Sequence, residues 1–192
     1  MILFLHGFAS SGKATKAEVL REYCSENFKN REFHSPDLPD EPDKAIKLIS
    51  GILKSADENT IVFGSSLGGY YAIWAGAKYG VNIVLINPSV KPYEGLKERI
   101  GLNINYQTGE EFEFKDEYVK QLKDLADEID NDKLHREKIV LMLAEDDVLL
   151  DYKLTLKYFE DNYGKLILEK ESGHSFTKFG DNLKKVFDYF EK

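Results

Sequence analysis

Short apolar runs alternate with longer stretches of helical period along the whole chain. The runs are Ile2 to Leu5, about Arg31 to Ser35, Thr60 to Phe63, Asn82 to Ile86, Lys138 to Leu143 and Lys165 to Glu169. Most are apolar at successive positions, as parallel strands covered on both faces should be. Between them, Ala17, Leu20, Cys24 and Phe28 share one helical face, as do Ala45, Ile49, Ile52 and Ala56 in a segment that opens with Asp40 and Pro42 as start signals. The spacing recurs in Tyr118, Leu122, Leu125 and Ile129, in Tyr152, Leu156, Phe159 and Tyr163, and in Phe179, Leu183, Val186 and Phe190. These stripes are core and are assigned no chemistry. Strands alternating with one-sided helices predict an α/β fold, a three-layer α/β/α sandwich with about six parallel strands and a site at their C-terminal ends.

From Pro88 to about Lys115 no period is clean. A connection of that length in a compact domain is usually functional or disordered. It leaves the end of the fourth predicted strand, so the segment at about 88–130, including the helix that follows, reads as a lid or pocket wall.

The strongest chemical signal is Gly64-Ser65-Ser66-Leu67-Gly68, between the predicted strand and a helix predicted over Leu67 to Lys78. This is the G-x-S-x-G nucleophile elbow in its strand-turn-helix context, where the central serine is strained and the flanking positions must lack bulk. A serine hydroxyl needs a base to take its proton. Gly173-His174-Ser175-Phe176, after the last strand, supplies the candidate, whereas His34 and His135 fall in positions that read as structural or exposed. The base needs an acid to fix its tautomer. Asp147 has the strand-end spacing for it, with Glu145, Asp146 and Asp151 as competitors; Asp146 reads as a turn residue and Asp151 as a helix cap.

A tetrahedral intermediate needs backbone N–H donors. Leu67, after the serine, offers one, and Phe8 in His6-Gly7-Phe8 offers the second, with Ala9 as a fallback. His6 reads as an orienting or packing residue. The same loop, Gly7-Phe8-Ala9-Ser10-Ser11-Gly12-Lys13-Ala14, also satisfies the G-x-x-x-x-G-K pattern of nucleotide-binding loops, which makes a P-loop-like protein the alternative. That loop requires a Ser or Thr directly after the lysine, and Ala14 has no hydroxyl. A non-catalytic binding module on the same fold is a further alternative, against which three placed catalytic candidates speak.

Bulk properties narrow the partners. The net charge of -8 opposes binding to nucleic acid or to an anionic membrane surface. No apolar run approaches the roughly 18 residues of a membrane span. The lone Cys24 cannot form an intramolecular disulfide, and the first residues lack secretory-leader features, so cytoplasmic residence is expected. At 192 residues with no low-complexity stretch, one domain with one core is expected. Nothing in the sequence has metal-ligand spacing, and no cofactor is expected.

The chain resembles the YqiA-type esterases of the α/β-hydrolase superfamily, nearly end to end. The resemblance rests on Phe4-Leu5-His6-Gly7-Phe8 with Ser10-Ser11, Pro36-Asp37-Leu38-Pro39, Gly64-Ser65-Ser66-Leu67-Gly68-Gly69-Tyr70-Tyr71 and Leu85-Ile86-Asn87-Pro88. It continues through Pro92-Tyr93-Glu94, Tyr106-Gln107-Thr108-Gly109-Glu110, Leu150-Asp151-Tyr152 and Gly173-His174-Ser175-Phe176. It implies a minimal hydrolase acting on simple acyl esters or acyl-CoA thioesters, with Ser66 and His174 carried over directly. At the acid this chain departs from the pattern: Asp146 stands where the family has glycine, which leaves the loop conformation around Asp147 open.

Overall fold

The computed structural model describes residues 1–191. Six strands form one sheet in the order β2-β1-β3-β4-β7-β8, and every neighbouring pair is parallel. They are β1 (Ile2–Leu5), β2 (Phe33–His34), β3 (Ile61–Ser65), β4 (Asn82–Ile86), β7 (Ile139–Ala144) and β8 (Lys165–Glu169). The helices are α1 (Thr15–Asn27), α2 (Pro42–Ile52), α3 (Leu67–Tyr79), the single turn α4 (Pro92–Gly95), α5 (Asp116–Glu128), α6 (Tyr152–Phe159) and α7 (Phe179–Phe190). Among the described residues no helix is long and apolar enough to cross a membrane.

Alternation along each strand sorts the core into two layers. Ile2, Phe4, Ile61, Phe63, Val140 and Met142 meet the stripes of α1 and α7 on one face. Leu3, Leu5, Val62, Leu85, Leu141 and Leu143 meet α2, α3, α5 and α6 on the other. All of these strand residues are at most 1% exposed, which is why the runs are apolar without interruption. The chain leaves β1 by α1 on one face and returns from β2 by α2 on the opposite face. The strand order therefore reverses beside β1, and the loops after β1 and β3 flank a crevice where such sheets bind ligands.

Two expectations change. The second strand shrinks to Phe33–His34, both half-buried at the sheet edge, because Ser35 turns to the loop after β1, donating from Oγ to Gly12 O, and Pro36 has no N–H for a ladder. The stretch without clean period is not a bare loop: after α4 it folds into an antiparallel hairpin of β5 (Gly101–Ile104) and β6 (Glu111–Phe114), outside the main sheet. The hairpin sends Phe112 and Phe114 inward and leaves Leu102, Ile104, Glu111 and Glu113 exposed.

The turn from β3 into α3 is built on absent side chains. A methyl group on Gly64 would overlap Gly68 O, one on Gly68 would overlap the Leu5 carbonyl of β1, and one on Gly69 would lie 2.6 Å from Pro88 Cβ. None of the three has a positive φ, so space rather than conformation requires glycine here. We expect Gly68→Ala to lower unfolding stability by about 3 kcal/mol, since backbone blocks the new methyl. Gly51→Ala, in α2 with nothing near its Cβ, should instead add about 0.5–1 kcal/mol. Equilibrium urea unfolding separates the two, and equal effects would contradict this account of the turn.

Candidate active site

Ser66 sits between β3 and α3 at φ 54, ψ -118, a conformation that a non-glycine residue adopts only when its surroundings force it. The surroundings are explicit: Ser66 N–H donates to Ile86 O at 3.1 Å, and Ser66 O accepts from Gly69 N at 2.9 Å and Ser89 N at 3.0 Å. Although Ser66 occupies the N-cap position of α3, its hydroxyl makes no capping bond. Gly7 packs directly against it, where an added methyl would lie 3.2 Å from Ser66 Cβ and 3.7 Å from Oγ. The Phe8 and Leu67 N–H groups border the same spot, and among the described residues neither has a protein acceptor.

Across the ends of the strands, Asp147 and His174 meet. His174 Nδ1 and Asp147 Oδ2 are 2.8 Å apart, and the Asp147 side chain has no solvent exposure. Asp147 Oδ1 also accepts from the Leu149 and Leu150 N–H groups, at 2.8 and 3.0 Å. Burial raises its pKa, but the bonds from His174 and these two amides outweigh burial, so the net shift is below the usual carboxylate range. Asp151 caps α6 by accepting from Lys153 N at 3.0 Å. Among the described residues no hydrogen bond joins Ser66 Oγ to His174, whose ring is 27% exposed.

Three further residues hold this arrangement, and sequence reasoning assigned no role to two of them, Asn87 and Lys16. Asn87 ends β4 at φ 40 and is 3% exposed. Its Nδ2 donates to Gly173 O and His174 O at 3.0 and 3.1 Å, while its Oδ1 accepts from Ala144 N at 2.9 Å. One side chain thus fastens the His174 loop to the ends of β4 and β7. Asp146, read as a turn residue, also binds that loop: its Oδ1 accepts from Ser172 N at 3.0 Å and Gly173 N at 2.9 Å, which lowers its pKa. Lys16 at the start of α1 donates to Ser175 O at 2.8 Å; burial depresses its pKa to about 8, against the pull of the Asp147 charge. The signal for Asn87 was a polar residue directly between a strand and a proline.

The loop after β1 is braced from both sides. His6, 5% exposed, accepts from Leu38 N at Nε2 and donates from Nδ1 to Gly7 O, both at 2.8 Å, and burial lowers its pKa. Both nitrogens are used, so His6 is a fixed neutral strut. From the other side the hairpin presses Phe112 and Phe114 edge-on to Phe8, with centroids at 5.5 and 5.0 Å. Asn105 Nδ2 and Tyr106 N donate to Ser10 O and Ala9 O at 2.9 and 2.8 Å. The phosphate-loop alternative loses support here: Asp37 Oδ1 takes the Gly12 N–H at 2.7 Å, and Ser11 Oγ and O take those of Lys13 and Ala14. A carboxylate stands where that alternative needs a phosphate.

Because Asp146 and Asp147 titrate below their unfolded values, their bonds to the 172–174 loop stabilise the fold fully above about pH 4 and are lost as pH falls through the depressed folded values. We expect the drop in urea midpoint from pH 6 to pH 3 to be smaller in Asp147→Asn than in the unaltered protein. An identical drop would show that Asp147 is not linked to folding.

The hydrolase architecture has close counterparts. The structure superposes on Est1E from Butyrivibrio proteoclasticus with a TM-score of 0.71, at 15% identity, over 100% of this chain and 88% of that one. It superposes on a monoacylglycerol lipase from Paleococcus ferrophilus with a TM-score of 0.70, at 12% identity, over 98% and 93% of the two chains. In sequence it is 24% identical over 196 residues to UPF0227 protein YE1706 of Yersinia enterocolitica, covering 97% of this chain and 96% of that one. The model of the uncharacterised protein family UPF0227 matches residues 1–191, and the chain belongs to that family, on an α/β-hydrolase fold.

Proposed function

We propose that this protein is a serine hydrolase that cleaves carboxylic esters or acyl thioesters through an acyl-enzyme intermediate. The observation that carries the reading is the 2.8 Å Asp147–His174 contact on the same strand ends as a strained, uncapped Ser66. Ser66 Oγ attacks the acyl carbonyl while His174 Nε2 accepts its proton, and Asp147 holds Nδ1 protonated and stabilises the imidazolium. The oxyanion is held by the free N–H groups of Leu67 and Phe8. His174 then returns the proton to the departing alcohol or thiol, and a water repeats the sequence to release the acid. The steps use only this chain's side chains and backbone.

Phe8 owes its position to Phe112 and Phe114, so we read the 88–130 segment as a wall of the substrate site. The net charge of -8 supports the absence of a nucleic acid partner, and the free, buried Cys24 fits the cytoplasm; the substrate we propose there is a small acyl ester or acyl-CoA.

Ser66→Ala should fold normally and lose on the order of 10⁶-fold in kcat towards a p-nitrophenyl acyl ester. A fluorophosphonate probe should label the unaltered protein at Ser66 and leave the variant unlabelled; turnover by the folded variant would refute the nucleophile. Asp147→Asn should lower kcat by roughly 10³- to 10⁴-fold, because the amide can hold His174 in the wrong tautomer. Asp151→Asn should cost little, since asparagine caps helices about as well. The reverse ranking of these two variants would reassign the acid.

A further inference from the structure

Beside Ser66 lies a narrow hollow bounded by Gly7, Phe8, Leu38, Asp40, Leu67 and Tyr71. It offers only about 20 Å³ for the centre of a water-sized group, little more than one such group needs, so only the tip of a short chain fits. Both proposed oxyanion donors line it, and no residue of the His174 loop or of the loop after β7 does. In the proposed mechanism His174 protonates the leaving group, so the leaving group lies on the His174 side. The hollow, which Gly7 and Leu67 join to Ser66 and which no residue of the His174 loop lines, is then assigned to the acyl group.

Its end is polar in an unusual way. Tyr71 is 2% exposed, yet among the described residues no group hydrogen-bonds its hydroxyl. The neighbouring Tyr70 behaves as a buried tyrosine ordinarily does and donates to Leu122 O at 2.8 Å. The Tyr71 oxygen is also not sealed off: among the described residues the one buried side-chain nitrogen or oxygen with neither partner nor access is Arg31 Nη1. The phenol thus keeps an unused hydrogen-bonding capacity, and Tyr71 is one of the residues that line the hollow. Asp40, an exposed residue at the rim, is the only charged residue on that lining, and partial burial raises its pKa. His6, which also borders the hollow, has both nitrogens engaged.

We propose that this hollow is an acyl subsite for a short acyl group bearing a hydrogen-bond donor, a hydroxyl or an ammonium, received by the Tyr71 oxygen and the Asp40 carboxylate. An alkyl chain would leave the buried phenol without a partner, which is the situation polar sites discriminate against. A carboxylate-bearing chain would face Asp40 with no cation on the lining to offset it. The inference rests on the serine-hydrolase reading and adds the substrate's acyl chemistry to it.

The test compares kcat/KM of the unaltered protein on p-nitrophenyl butyrate, p-nitrophenyl 3-hydroxybutyrate and p-nitrophenyl 3-aminobutyrate. At least one polar ester should exceed butyrate by about tenfold, the discrimination that one hydrogen bond supplies. Tyr71→Phe, checked for folding by its urea midpoint, should bring that ratio below about threefold. Asp40→Asn should do so for the amine and spare the hydroxyl, which identifies the donor. Equal kcat/KM on all three esters, or a preference that survives Tyr71→Phe, would overturn the subsite. Labelling of Ser66 by a fluorophosphonate without any such preference overturns the subsite alone, whereas absence of both labelling and turnover overturns the serine-hydrolase reading with it.

Discussion

The contact between the first turn of α3 and the carbonyl ends of β1 and β3 leaves no room for one methyl group. Gly64 and Gly68 face each other across it, and Gly68 lies on Leu5 O. This closeness forces the chain to reverse direction within one residue, and that residue is Ser66 at φ 54. The same closeness presents the Leu67 N–H at the start of a helix, where the backbone dipole favours negative charge. It also sets Gly7 against the serine, which brings the Phe8 amide alongside. The strained Ser66 and the two amides beside it are thus consequences of a single packing constraint.

The remaining parts arrive by a different physical route. Loops beyond the ends of parallel strands cannot continue the ladder, so their backbone groups need other partners. Here side chains supply them: Asn87 for the carbonyls of Gly173 and His174, Asp146 for the amides of Ser172 and Gly173, and Lys16 for the carbonyl of Ser175. The loop carrying His174 is therefore held by three elements besides its own flanks. The glycine that the resemblance places before Asp147 gives way to Asp146, whose carboxylate acts directly on that loop.

What the sequence revealed follows from the range of the interactions concerned. The six strands and the one-sided helices were legible because burial on both faces of a parallel sheet writes itself into consecutive apolar residues. The elbow was legible because its constraints fall within five residues. The hairpin was missed although Glu111-Phe112-Glu113-Phe114 alternates, because its partner strand turns Leu102 and Ile104 to solvent and hides the pattern. Asn87 was seen only as part of a family stretch, and Asp146 as a turn residue or a competitor of Asp147, not as a partner of the 172–174 loop. Their partners lie 86 or 87 and 26 or 27 positions away, where no local period reaches. The unused bonding capacity of the Tyr71 hydroxyl, unlike its burial on an apolar helix, depends on which neighbours decline to bond it.

Asn87 is followed by Pro88, and the pairing bears on how long the protein keeps its chemistry. An asparagine ages to aspartate when the backbone nitrogen of the next residue attacks its side-chain carbonyl and closes an imide ring. A proline nitrogen carries no hydrogen and is already bonded to three carbons, so that ring cannot close by the usual path. Conversion here would exchange the amide that donates to Gly173 O and His174 O for an acceptor facing two acceptors. The ring that presses on Gly69 thus also shields the amide on which the His174 loop hangs from spontaneous decay.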